Sequence, residues 1–267
     1  MAGRGKARKA SLPAPPVPPP RSERIDALRG LAVVWMTAFH FCFDLNLHGW
    51  LRQNFLGDPF WFMQRAAIVS LFLFCAGFGQ ALALDAGQGW RRFWRRWLQV
   101  AGCALLVSAG SWWMFRDAFI YFGVLHGLAV MLLLARLTAR AGRWLWPLGA
   151  LAIASPHLVP EILAGVPHVL QVLNDKPLNA LGWILHKPVT EDYVPVFPWL
   201  GVVWWGLAAG QELLRRWPAR VQAPLPAAMA RPGAVLAWLG RHSLPWYMLH
   251  QPVLLGLLAA VAWGLHR

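Results

Sequence analysis

The fold class predicted by this sequence is an all-α, polytopic integral membrane bundle of about seven transmembrane helices. Three observations predict it. The 267 residues are 58% hydrophobic and only 13% charged, against about 25% charged in a soluble domain. Several apolar runs reach the roughly 18–20 residues that cross a hydrocarbon core of about 30 Å. The Lys and Arg that give a net charge of +14 gather in short segments between those runs, the positive-inside pattern. That clustering, without any nucleic-acid-binding motif, excludes nucleic acid as the reason for the charge.

Taken in order, residues 1–23 are basic and then proline-rich. They cannot build a core and are expected to be a disordered cytoplasmic tail. The apolar stretch that follows is too long for a signal peptide and has no small-residue cleavage site. Residues 24–267 form the transmembrane domain, with helices expected over 27–47, 60–84, 97–115, 119–137, 144–164, 194–214 and 243–264. Pro147, Pro156, His157, Pro160 and Glu161 interrupt the fifth. Residues 165–193 read as an outer loop with room for an interfacial helix. Most of the basic residues fall in the tail and in alternate connections: Arg91, Arg92, Arg95 and Arg96, then Arg136, Arg140 and Arg143, then Arg215 to Arg241. The N-terminus is therefore expected in the cytoplasm and the C-terminus outside, across a bacterial inner membrane. Gly206 and Gly210 read as a close helix-packing pair ahead of a homodimer contact. Cys42, Cys75 and Cys103 lie in apolar runs without metal-ligand spacing, so small buried hydrophobes are expected and no metal.

The polar groups at membrane depth carry the functional expectation. Arg29 and His40 are eleven residues apart on the first helix, close to three full turns, a rise of about 16 Å. They share a face, and Asp44 follows one turn on. A buried His with a carboxylate one turn away suits a general base, with Asp44 orienting the ring. By the same depth reckoning His126 and His250 fall near mid-bilayer on two other helices. Arg65 falls level with Asp44, where an ion pair would reduce the cost of both charges. His126 or Arg65 is a candidate to stabilise an oxyanion. Arg29, beside Asp26, reads either as a positive-inside anchor or as a contact for an anionic ligand, and Arg91 and Arg92 would draw such a ligand to that face. His48 lies just past the first helix, at the interface. Asp192 and Trp199 stand at the outer mouth of the sixth helix, an acid and an aromatic that suit a sugar. No nucleotide loop, metal cluster or nucleophile elbow is present.

Five segments, in this order, carry a resemblance: Arg24-Ile25-Asp26-Ala27-Leu28-Arg29-Gly30; His40 with Asp44; Phe122-Gly123-Val124-Leu125-His126; Asp192 to Gly201; and Leu239 to Pro252. Over about residues 24–264 the chain resembles the bacterial DUF1624 family, which is similar to the catalytic domain of heparan-α-glucosaminide N-acetyltransferase. The Arg-x10-His spacing also resembles the wider acyltransferase-3 group. The resemblance implies acetyl transfer from acetyl-CoA to a sugar amine or hydroxyl, with Arg29 at the CoA end and His40 as base. The lysosomal member has its catalytic histidine further along the chain, where His48 is the nearest candidate, so both histidines stay open.

The sequence thus predicts an acyl-CoA-dependent membrane acetyltransferase. Acyl-CoA would bind from the cytoplasm, and a saccharide or glycolipid of the envelope would accept. His40, Asp44, His126 and Arg65 would serve chemistry; Arg29, Asp26, Arg91 and Arg92 the donor; His48, Asp192, Trp199 and His250 the acceptor. The rival reading is a proton-coupled transporter or flippase using the same His, Asp and Arg residues. The absence of internal repeats weighs against it.

Overall fold

A computed structural model describes residues 22–265. The expected tail lies outside the described residues as far as residue 21. Ten α-helices follow: α1 Glu23–Leu47, α2 Pro59–Asp85, α3 Trp90–Met114, α4 Val124–Thr138, α5 Leu145–Ile162, α6 Pro167–Asn174, α7 Val196–Arg216, α8 Pro218–Gln222, α9 Ala230–Arg241 and α10 Ser243–Leu265. Among the described residues the only β pairing is an isolated bridge between Phe122 and Tyr193.

Local chemistry sets the helix ends. Glu23 and Asp26 sit in the first turn of α1, where the helix dipole favours negative charge. Asp58 caps α2 by accepting from Phe60 N at 2.8 Å, with Pro59 at the first helical position. Helix α3 opens seven residues earlier than expected. Arg91, Arg92, Arg95 and Arg96 are therefore helical, because arginine is a good helix former when its head stays solvated. Helix α4 opens later than expected, because residues 118–122 are laced to 190–194. Glu191 N donates to Ala118 O, Val194 N to Phe122 O, and Thr190 Oγ1 to Phe119 O.

Among the described residues four segments, where about seven crossings were expected, are long and apolar enough to cross a membrane: Glu23–Leu47, Pro59–Asp85, Val124–Ile162 and Ser243–Gly264. The third joins α4 to α5 through the left-handed Gly142. Helices α3 and α7 are not among the four. The first opens on four arginines, and the second closes on Gln211, Glu212, Arg215 and Arg216.

Helices α2 and α5 pack on α7, α4 bridges α7, α2 and α3, and α1 packs on α2, α9 and α10. Leu73, Leu125, Met131, Leu145, Leu200, Val203 and Leu207 fill the centre with no more than 2% exposure. Leu249, Val253, Leu257 and Val261 form an exposed stripe along α10, a face suited to lipid. Close crossings set the geometry. A side chain at Gly206 would strike the backbone of Phe74, and one at Gly77 the backbone of Val203. Gly206 and Gly210 thus serve an internal contact of α7 with α2.

Candidate active site

Helices α1 and α10 meet along a polar seam inside two apolar segments. Thr37, His40 and Asp44 project from one face of α1 and meet Trp246, His250 and Gln251 of α10. Trp246 Nε1 donates to Thr37 Oγ1 at 2.9 Å. His40 Nδ1 and His250 Nε2 are 2.9 Å apart. Gln251 Nε2 donates to Asp44 Oδ1 at 2.8 Å. Asp44 is 1% exposed and His250 8%. Asp44 Oδ2 and Gln251 Oε1 are buried without a hydrogen-bond partner. An aromatic wall of Phe39, Phe43, Phe55 and Trp61 adjoins this seam, with Phe39 edge-on to His40 at 5.8 Å and Phe55 stacked on Trp61 at 3.9 Å. A histidine here works in a low dielectric, where its interactions are stronger than in water.

Of the residues expected to act, the fold brings His40, Asp44 and His250 together. Asp44 does not orient His40: it is committed to Gln251, and His40 is held from α10 instead. The Arg65–Asp44 ion pair does not form. Arg65 lies exposed over the Phe62 ring at 5.7 Å, and the charged groups it influences are Asp192 and Lys187. Equal depth on neighbouring helices did not put the two side chains on facing sides.

His126 sits apart, in a joint between α3 and α4. Its Nδ1 accepts from Gly123 N at 3.3 Å, and its Nε2 lies 3.0 Å from Ser108 Oγ, which donates to Ile120 O at 2.6 Å. With Nδ1 an acceptor, Nε2 carries the hydrogen. Both nitrogens are used in holding the joint, so neither is left to stabilise an oxyanion. His126→Phe is expected to cost about 1–3 kcal/mol of stability through unpaired polar partners. Thermal unfolding in detergent reads this loss, and activity per folded molecule should be unchanged.

His48 Nδ1 donates to Asp44 O at 2.9 Å, closing the C-terminus of α1, with its ring against Trp50. It belongs to the helix end, not to the His40–His250 pair. Asp192 caps α4 from the loop before α7, accepting from Val124 N at 2.8 Å. Burial raises the Asp192 carboxyl above its usual range, opposed by the Val124 N–H and by Lys187 and Arg65. Its observed work is thus to anchor a helix. Trp199 packs against the core rather than lining an open mouth. Arg29 Nη1 pairs with Asp26 Oδ1 at 3.1 Å, and its Nη2 donates to Cys75 O at 3.4 Å, placing the guanidinium between α1 and α2. Arg91 and Arg92 are exposed on the first turn of α3, a helix that packs mainly on α4. Among the described residues no cluster of His, Cys, Asp or Glu could hold a metal.

Thr37, Trp246 and Gln251 escaped the sequence reading. Gln251 had a signal: it is polar, next to His250, inside an apolar helix. Thr37 and Trp246 had none, because either residue is ordinary in a membrane helix.

The family model described as heparan-alpha-glucosaminide N-acetyltransferase, catalytic, matches residues 21–252. No curated protein and no solved structure matches the chain.

Proposed function

The chain belongs to the heparan-alpha-glucosaminide N-acetyltransferase catalytic family, and from that premise we propose that it moves an acetyl group from acetyl-CoA to an amine or hydroxyl of an envelope saccharide or glycolipid. The membrane setting and the acetyltransferase character follow from the family and the apolar helices. The donor, the acceptor and the roles below are the proposal. The observation that carries it is the His40–His250 pair between α1 and α10, a titratable pair inside two apolar segments.

In this reading His40 Nε2 removes the proton of the acceptor N–H or O–H as that atom attacks the thioester carbonyl carbon. The tetrahedral oxyanion collapses, the C–S bond breaks, and His40 returns the proton to the departing thiolate. Product amide or ester and free CoA thiol result, with no net proton change for a neutral acceptor. Arg29 contacts the phosphates of the donor from the cytoplasmic side, exchanging part of its bond to Asp26 for a charge-assisted one. The acceptor approaches from the opposite face of the bundle.

Calorimetry on the purified chain tests the donor half. Acetyl-CoA is expected to bind saturably to the wild type and about tenfold or more weakly to Arg29→Ala, the worth of one charged hydrogen bond. No binding by folded wild type would sink the proposal. Movement of a saccharide across vesicles without release of CoA thiol would replace it with a transporter.

A further inference from the structure

We infer that His250 is a positioning residue that sets the tautomer of His40 and leaves Nε2 as its basic atom; the functional meaning rests on His40 acting as the base proposed above. A backbone carbonyl can only accept a hydrogen bond. His250 Nδ1 stands 2.8 Å from the Tyr247 carbonyl oxygen and 3.3 Å from that of Trp246. Nδ1 therefore carries the hydrogen and donates. A neutral imidazole has one N–H, so His250 Nε2 holds only a lone pair. The atom opposite, His40 Nδ1 at 2.9 Å, must then be the donor. His40's single hydrogen is placed on Nδ1, and its lone pair on Nε2, which has no hydrogen-bond partner among the described residues.

A charged His250 would reverse this order, donating from Nε2 and moving the hydrogen of His40 to its far nitrogen. An uncompensated cation at membrane depth is costly, and among the described residues no carboxylate pairs with either ring; Asp44 Oδ1 accepts from Gln251 instead. The neutral pair is the favoured state. The flanking bonds, Trp246 to Thr37 and Gln251 to Asp44, hold α10 in a register in which His250 Nε2 faces Nδ1 of His40. In the familiar triad a buried carboxylate does this orienting work. Here a neutral ring backed by a main-chain carbonyl does it, which avoids burying a second charge. When His40 takes up a proton, its Nδ1–H still donates to His250, so the contact survives the catalytic cycle.

Nitrogen NMR of the purified full chain, labelled with 15N-histidine, tests this. The His40 ring signals are those lost in His40→Ala. At neutral pH the wild type is expected to show a protonated Nδ1 and a bare Nε2. His250→Gln should keep that pattern, because its amide oxygen can accept from Nδ1. His250→Leu should shift the population towards the Nε2–H form. A wild-type hydrogen on Nε2, or a pattern unmoved in His250→Leu, overturns the inference. In the transfer assay with acetyl-CoA and glucosamine, His250→Leu should lose about 10–100-fold in kcat, as loss of an orienting partner typically does. His250→Gln should restore most of it, with KM for acetyl-CoA unchanged in both. Full kcat in His250→Leu, beside an inactive His40→Ala, overturns the positioning role alone. Full activity in His40→Ala overturns the reading of His40 as base, and the NMR signal then judges the tautomer separately.

Discussion

Replacing His40 with alanine is expected to lower kcat for acetyl transfer by about 10²–10⁴-fold, the usual contribution of a positioned general base. Release of CoA thiol from acetyl-CoA in the presence of glucosamine, on protein reconstituted in bilayers, measures it. Acetyl-CoA affinity should hardly change, because Arg29 lies eleven residues away on α1 and pairs with Asp26. Stability should fall by about 1–3 kcal/mol, because His250 Nε2 is left buried without its partner. His48→Ala is the informative companion. Its ring nitrogen closes the end of α1 on Asp44 O, so this variant should lose stability modestly and keep its rate. If instead His48→Ala is inactive and His40→Ala retains full activity, the base lies at the helix end and the α1–α10 seam is only a joint.

The largest structural effect is expected at the crossing of α1 and α9. A side chain at Gly240 would overlap the Asp26 carbonyl oxygen, and one at Gly30 the Leu236 carbonyl oxygen. These neighbours are backbone, so nothing nearby can swing aside. Gly240→Leu should push the helices apart at a cost of about 3 kcal/mol or more, the upper range for overpacking. The N-terminal end of α1 is also tied to α8 and the segment that leads from it towards α9, through Ser22 Oγ to Val221 O at 2.7 Å and Arg24 Nη2 to Pro224 O at 3.2 Å. The displacement should therefore lower the thermal midpoint in detergent and weaken donor binding at Arg29 together. Gly102→Ala is the control: nothing stands within 4 Å of that position. There alanine should leave the midpoint unchanged or raise stability by about 0.5–1 kcal/mol through helix preference. Equal midpoints in Gly240→Leu and wild type would show that α1 and α9 do not need this contact.

The expected helices were legible because apolar length and period depend on local sequence. The α9 segment was not. Arg231 and Arg241 read as part of a basic connection, yet residues 230–241 form a helix whose Gly233, Ala237 and Gly240 are buried. Its fit against α1 rests on missing side chains, which hydropathy does not weigh. His40, Asp44 and His250 were recognisable as polar groups at depth, whereas the pairing of His40 with His250 and of Asp44 with Gln251 was not. The i, i+4 relation made Asp44 the natural companion of His40, but side chains on one helix face need not touch when a second helix offers better acceptors and donors. Equal depth made Arg65 the companion of Asp44, and helix rotation separated them.

By itself the sequence determined the membrane class, the order of the apolar helices and the family, each set by composition, spacing or contiguous motifs. Only the tertiary structure decided that His40 answers to His250 and Asp44 to Gln251, and that His126, His48 and Asp192 hold joints and helix ends. The reason is physical: hydropathy and helical period specify depth and face within one helix. The rotation and register of one helix against another come from backbone contact at glycines and from bonds between residues some 200 positions apart.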